Sequence, residues 1–245
     1  MTVSFIIPFH NEEKNCRSMV TRVDKFAHTN KLNYEIIPVD DRSTDRTAEI
    51  LAEISQKNGK IKPVYRIKDS RKLGNTMGKA LIAGTNKAIG EFVIWTMGDL
   101  ADSTVTYKEI INKLYNNYDL VFGSRYMPGG SWGNLDPLKA FLSSSGTRLA
   151  RILFGIKVHD ITNAFRGFRR DIFNSLKLEE TGFSISPEFA IKAYFKGLKL
   201  GEVPTTYTNR VEGVSSFKLY QMTHSYIFLY LKLFFKYKLK PHKLP

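Results

Sequence analysis

One thiol in 245 residues leaves no partner for an intramolecular disulfide. Cys16 is therefore expected to pack on the first helix rather than to cross-link, and the scarcity of cysteine points to a reducing compartment. Long apolar runs are missing too. The longest near the C-terminus, Tyr226 to Leu231, falls far short of the ~20 residues a membrane span needs. No cationic, apolar leader is read at the start, because Val3 to Pro8 looks like a first strand, so secretion is not expected. A phosphate loop of the Walker A kind is absent. Only three residues separate Gly74 from Gly78, and Ala80 stands after Lys79 where that loop requires Ser or Thr. The passage reads instead as a tight turn into a helix, with Lys79 either facing an anion near the helix start or solvated. No internal repeat or low-complexity tract is present.

Positive charge is abundant and unevenly placed. The formal net charge is +14, and the segments 138–175 and 201–245 each carry a net five of those charges. Such a field attracts phosphorylated substrates, anionic lipid or nucleic acid, and charge alone does not choose among them.

Strand-like and helix-like segments alternate at βαβ spacing through the first half, which implies an α/β fold. The expected order is strand Val3 to Ile7, helix Asn11 to Ala27, strand Tyr34 to Val39, helix Thr44 to Gln56, strand Ile61 to Ile67 and helix Asn75 to Ile89. Strand Phe92 to Thr96, a helix around Thr106 to Tyr115 and strand Leu120 to Gly123 follow. The sheet is expected to be mostly parallel, with helices on both faces. Beyond Arg125 come a Gly-rich loop at Pro128 to Gly130, a helix Leu138 to Phe154, short strand-like pieces near Lys157 and Phe165, a helix Pro187 to Phe195 and a strand around Glu202 to Tyr207.

From Leu219, the residues Leu219, Met222, Tyr226, Leu229 and Leu233 recur at helical spacing. Two readings stand: a helix lying in a membrane interface with its lysines at headgroup level, or a helix docked on the domain's own core.

Three strands end in polar clusters: Pro8 to Glu12, Asp40-Asp41-Arg42-Ser43, and Gly98-Asp99 with Asp102 beyond. Ligands bind at the carboxyl ends of parallel strands, so these clusters are candidates for one shared crevice. Asp99 and Asp102 equally suit a helix cap ahead of Ser103 and Thr104. Adjacent acids at 40 and 41 repel each other unless a donor or cation separates them, and a carboxylate there can accept hydrogen bonds from a nucleobase.

The ordered set IIPFHNEE (Ile6 to Glu13), VDDRSTDRT (Val39 to Thr47), LGNTMGKALIAGTNKAIGE (Leu73 to Glu91), VFGSRY (Val121 to Tyr126), DITNAFRGFRR (Asp160 to Arg170) and EVPTTYTNRVEGVSSFKL (Glu202 to Leu219) resembles the family 2 glycosyltransferases. The likeness is strongest to the dolichyl-phosphate mannosyltransferase and polyprenyl-phosphate glycosyltransferase branch. It implies a Rossmann-like glycosyltransferase A fold, a nucleoside-diphosphate sugar as donor, a polyprenyl phosphate as acceptor, inversion at the anomeric carbon and a Mg or Mn ion. In domain terms it implies a glycosyltransferase domain over 1–218, with a donor half 1–125 and an acceptor half 126–218, and a basic amphipathic helix and tail over 219–245.

By resemblance, Pro8, His10 and Glu12 form the first nucleoside-contacting loop, Asp40 and Asp41 are the base-binding acids, and Lys79 and Gly98 belong to the donor site. Asp99 matches the second acid of the metal motif and Arg125 the arginine after the fifth strand; these two are the catalytic candidates. Arg166, Arg210, Ser215 and Lys218 are expected to hold the acceptor phosphate. The chain departs from the pattern where Met97 replaces the first metal-motif acid, Ala101 a polar residue, Ala164 a glycine and Ser145 an arginine. Asp102 is the candidate to complete the metal site with Asp99. An ionised phosphate acceptor needs no general base, because its second pKa is near ~6. The expected location is the cytoplasmic face of a membrane, peripherally bound, with no nucleic-acid partner. The alternatives are a saccharide or protein acceptor, or a non-catalytic basic binding protein.

Overall fold

Runs of β-branched and aromatic residues with both faces apolar, such as Phe92–Trp95, can be buried only in the middle of a sheet covered by helices on each side. The computed structural model, which describes residues 1–66, 76–208 and 219–239, has that arrangement. Seven strands form one sheet in the order β3-β2-β1-β4-β6-β5-β7. They are β1 (Thr2–Phe9), β2 (Asn33–Asp41), β3 (Val64–Arg66), β4 (Phe92–Trp95), β5 (Leu120–Ser124), β6 (Arg166–Arg169) and β7 (Leu200–Pro204). Strand β6 runs antiparallel to both of its neighbours, with Trp95 and Phe122 opposite Arg166, and every other pairing is parallel.

The helices are α1 (Cys16–Thr29), α2 (Thr47–Lys57), α3 (Met77–Thr85), α4 (Thr104–Tyr115), α5 (Pro137–Phe154), α6 (Arg170–Leu176), α7 (Ile185–Phe195) and α8 (Leu219–Phe234). The last continues as a π-helical turn over Phe235–Leu239. Two apolar clusters cover the two faces of the sheet. One is built around Phe5, Met19, Val20, Tyr107 and Ile110, the other around Trp95, Phe168, Phe189 and the α8 residues Leu229, Tyr230 and Leu233. Cys16 is buried at the start of α1, and burial pushes its thiol up to about 11, so it packs as expected.

Two expectations are corrected and one open choice is decided. α1 begins at Cys16 instead of Asn11, because the backbone and side chains of residues 11–13 bond across to the loop after β2. No strand forms near Lys157; Ile156 and Val158 are buried as irregular chain. The stripe Tyr226, Leu229 and Leu233 is buried against the body of the protein, where the Tyr230 hydroxyl also donates to the Gly146 carbonyl, so the docked reading describes that stripe. Among the described residues, no helix is long and apolar enough to cross a membrane.

Candidate active site

Because β1, β2, β4 and β5 all point the same way, their carboxyl ends share one edge of the sheet. The loops after β1 and β2 are laced together there. The Asn11 N–H donates to the Ser43 hydroxyl, the Glu12 N–H to Thr47 Oγ1, and the Thr44 N–H to Asn11 Oδ1. His10 Nδ1 lies 2.7 Å from the Asp41 carbonyl, and Glu12 accepts from the Asn15 amide. The loops of β1 and β4 meet as well. A Cβ on Gly98 would come within 2.5 Å of the Phe9 ring and 2.9 Å of the Pro8 carbonyl, so only glycine allows that approach. Left-handed backbone at three non-glycine residues, Asn11 (φ 55), Arg42 (φ 62) and Leu100 (φ 64), sits beside all three strand ends. Strain of this kind persists where the surroundings over-determine it, as at binding sites.

Asp40 and Asp41 end β2 and are both buried. Asp40 accepts from the Ser43 N–H, whereas Asp41 is enclosed: Arg66 donates at 2.5 Å, Arg42 Nε at 3.1 Å, and the Thr76 hydroxyl at 2.5 Å. The donors that the doublet was expected to need are therefore Arg42, Arg66 and Thr76. Sequence reading missed them. Arg42 adjoins the doublet and could have been noticed, but Arg66 and Thr76 become neighbours only through the fold. Lys79 lies in the first turn of α3, its backbone N–H donating to the Thr181 carbonyl.

At the end of β4, Asp99 and Asp102 are both buried. One oxygen of Asp102 accepts from the Thr96 hydroxyl and from the Met97 N–H, each at 2.9 Å. Burial first, and the charge of Asp99 second, push its carboxyl up to about 7. This geometry suits a brace of the strand end better than a cation ligand, so Asp99 is the stronger metal candidate of the two. Among the described residues no group of three or more His, Cys, Asp or Glu forms a cation cage. The donor set thus fits a hard divalent ion that takes most of its oxygens from a bound diphosphate and water.

Arg125 follows β5 and is fixed by Asp160. Its Nε donates at 2.7 Å and Nη2 at 3.1 Å to that carboxylate, and Nη2 also reaches Thr162. Burial would raise the Asp160 carboxyl, but the Arg125 guanidinium outweighs it and holds the group below its usual value.

Arg166 does not present itself to an acceptor. It is fully buried, and its guanidinium donates to the carbonyls of Ser186, Ile161, Asn163 and Ala164 beneath the rings of Trp95, Phe122 and Phe189. Burial lowers its pKa to about 9, which still leaves it charged at neutral pH. The antiparallel course of β6 turns this motif arginine into the core. Arg210, Ser215 and Lys218 lie outside the described residues.

The edge thus collects Pro8, His10, Glu12, Asp40, Asp41, Gly98 and Asp99 on β1 and its two neighbours, with Arg125 further along at the end of β5. β2 and β4 flank β1, so the two strand ends that carry Asp41 and lead to Asp99 stand two strand spacings apart, roughly 10 Å. That span suits one nucleoside diphosphate lying across β1.

The model of the family described as glycosyl transferase family 2 matches residues 4–177. A dolichol-phosphate mannosyltransferase of Pyrococcus furiosus is 33% identical over 221 residues, which is 89% of this chain and 60% of that protein. A polyprenol monophosphomannose synthase of Mycolicibacterium smegmatis is 30% identical over 217 residues, 86% of this chain and 78% of that protein. The chain therefore spans less than two thirds of the Pyrococcus relative. Among solved structures, a Mycobacterium tuberculosis glucosyl-3-phosphoglycerate synthase in complex with Mn2+, uridine diphosphate and phosphoglyceric acid superposes with a TM-score of 0.67 at 23% identity, covering 95% of this chain and 78% of that one. A Pyrobaculum calidifontis mannosyltransferase in complex with GDP-Man and Mn2+ gives 0.62 at 17% identity, covering 99% and 65%. At these identities the structures establish the shared fold, and the sequence relatives establish the lineage. The chain belongs to glycosyl transferase family 2, alongside the dolichol-phosphate and polyprenol-phosphate mannosyl enzymes.

Proposed function

We propose that the chain transfers a sugar, with inversion, from a nucleoside-diphosphate sugar to a polyprenyl phosphate at a membrane surface. The observation that carries this reading is that topology delivers Asp41 and Asp99 to one edge of the sheet, in a chain whose sequence relatives are named for dolichol-phosphate and polyprenol-phosphate chemistry. Asp40 and the Asp41 cluster read the nucleoside, with Arg42 and Arg66 holding the acid in place. Pro8, His10, Glu12, Lys79 and Gly98 shape the rest of the donor pocket. Asp99 would hold a Mg or Mn ion, which when bound would supply positive charge against the departing nucleoside diphosphate. One such charge at ~4 Å, at an effective dielectric near 20, is worth about 4 kcal/mol.

Arg125, already oriented by Asp160, needs no rearrangement to stabilise the same developing charge. The acceptor's phosphate oxygen attacks the anomeric carbon from the face opposite the leaving group. It arrives ionised, so no side chain has to remove a proton, and positioning dominates catalysis. Arg210, Ser215 and Lys218 are assigned to that positioning.

Peripheral attachment to a membrane, which we assign to the cytoplasmic face, draws its support as attachment from a second apolar stripe on the C-terminal helix. Phe228, Leu231, Phe235 and Leu239 are exposed at helical spacing, with Lys232, Lys236 and Lys238 beside them. On α5, Phe141 and Ile152 are exposed too.

The test is sugar transfer to dolichyl or undecaprenyl phosphate from guanosine- and uridine-diphosphate sugars, with and without chelator. Transfer that chelator abolishes is expected. Absence of transfer to every lipid acceptor, with transfer to a saccharide instead, would overturn the acceptor assignment.

A further inference from the structure

Met97 and Ala101 stand on either side of Asp99 where the family pattern has ligands, and Asp102 is taken up in bracing the end of β4. One protein carboxylate is then left for the ion, so its direction is not backed up by a second ligand. That direction is set through the backbone. Asp99 Oδ1 accepts the Ala101 N–H at 3.3 Å, which ties the carboxylate across the residue between them, Leu100. Leu100 is left-handed (φ 64), a region where a residue other than Gly or Asn is disfavoured and stays only when its neighbours enforce it. Two distant parts of the chain do so. Arg22, partly buried on α1, donates from Nη1 to the Leu100 carbonyl at 2.8 Å. Thr208, beyond β7, donates its hydroxyl to the Ala101 carbonyl at 3.2 Å. Two consecutive carbonyls of the turn are thus held from outside it.

Resting on the assignment of Asp99 to the metal and diphosphate, we propose that Arg22 is a positioning residue of the active site: by holding the Leu100 carbonyl it fixes the turn that directs the Asp99 carboxylate. Thr208 assists from the Ala101 carbonyl. The effect passes through contiguous bonds, from the guanidinium to the Leu100 carbonyl, along the backbone to the Ala101 N–H, and from there to Asp99 Oδ1. Arg22 has a firm base for this task, because Met19, Val20 and Val23 of the same helix are fully buried in the apolar cluster on that face of the sheet. In the sequence nothing distinguishes it from the other charges of an amphipathic helix; only the fold brings it to a residue 78 positions away.

Calorimetric titration of guanosine and uridine diphosphate, each in chelator and in saturating Mn2+, separates the aim of the carboxylate from folding. Wild type is expected to bind more tightly in Mn2+. Arg22→Met keeps the apolar stem and removes the donor. It should lose about tenfold of the affinity measured in Mn2+, the scale of a hydrogen bond from a charged group, and none of that measured in chelator. Thr208→Val should lose a smaller factor in the same direction. Both melting temperatures should stay close to wild type, because neither side chain belongs to the core. Glycine enters the left-handed region without steric penalty, so Leu100→Gly makes the turn less dependent on its clamp. Arg22→Met/Leu100→Gly should therefore recover most of the affinity in Mn2+, even though the loss of Leu100 from its apolar cluster lowers the melting temperature.

In turnover, Arg22→Met should raise the Mn2+ concentration that gives half the maximal rate and leave KM for prenyl phosphate unchanged. Affinity in Mn2+ that is the same in Arg22→Met and wild type would overturn the proposal, as would a loss of equal size in chelator. Failure of Leu100→Gly to restore binding would also overturn it, since Arg22 would then act through its charge and not through the turn. If Arg22→Met does not fold, an unchanged affinity of Thr208→Val in Mn2+ counts against the proposal in the same way. Should wild type bind neither diphosphate more tightly in Mn2+, the metal assignment of Asp99 falls and this inference with it. Should Arg22→Met behave as expected while wild type transfers no sugar to any prenyl phosphate, the positioning role stands and the proposed acceptor falls.

Discussion

Asp41 and Arg166 are both charged, both buried and both within four residues of the active edge, yet their surroundings differ in kind. Asp41 is satisfied by side chains, those of Arg42, Arg66 and Thr76, whose torsions are independent of the backbone course. Arg166 is satisfied by backbone carbonyls at Ser186, Ile161, Asn163 and Ala164, which cannot move without moving the chain. The nature of the partner separates a charge poised for a ligand from a charge that belongs to the scaffold. A motif cannot make that distinction, because it records only the residue type.

The strongest challenge to this contrast is Arg166→Met. Removing a buried cation and stranding several carbonyls should lower stability by about 3–5 kcal/mol in urea unfolding, with the acceptor KM of the folded fraction unchanged. A normally stable variant with a raised acceptor KM would return Arg166 to the binding site. Next in size is Asp99→Asn. Loss of the carboxylate proposed to hold the metal should reduce kcat by about 10²–10³, with a melting temperature close to wild type.

Asp102 sharpens the contrast through pH. Its folded carboxyl is raised to about 7 against an ordinary 3.8, so the stability it contributes is complete below pH ~4 and is lost as pH climbs through 7. Asn stays neutral and can still accept from Met97 and Thr96. Asp102→Asn should therefore match wild type near pH 4 and exceed it by about 2–4 kcal/mol at pH 8 in metal-free buffer. Equal stability at both pH values would show that Asp102 is ionised throughout. The smallest effect is expected at Lys232, which pairs with Glu179 at 2.6 Å on the surface. Lys232→Ala should cost less than about 1 kcal/mol, as exposed pairs do. A larger loss would mean that this contact governs the seating of α8.

The donor half was readable for a physical reason. Parallel strands buried on both faces show up as unbroken apolar runs, so β1, β2, β4 and β5 lie within one or two residues of their expected positions. The acids at their ends were legible because topology delivers parallel strand ends to one edge. The acceptor half obeyed neither rule. β6 reads Arg166-Gly167-Phe168-Arg169, too polar to announce a central strand, and only the carbonyl cage explains how it is buried. The seven-residue α6 has no side-chain cap and starts where β6 stops, so nothing marked its beginning. Helical spacing on α8 was recognised, but spacing alone could not say whether lipid or protein covers a stripe; Tyr226, Leu229 and Leu233 face protein.

The reversed strand has one more consequence. Since β6 enters the sheet where its neighbours leave it, the segment that borders the reaction is the one ahead of the strand, with Asp160, Thr162 and Asn163, while Arg169 and Arg170 at its exit anchor to Glu91 and Gly90 on the far side. Substitutions at Arg169 or Arg170 therefore act at the end of the sheet away from the acidic strand tips. A single added residue around 162 would displace Asp160, and with it the Arg125 guanidinium that Asp160 holds.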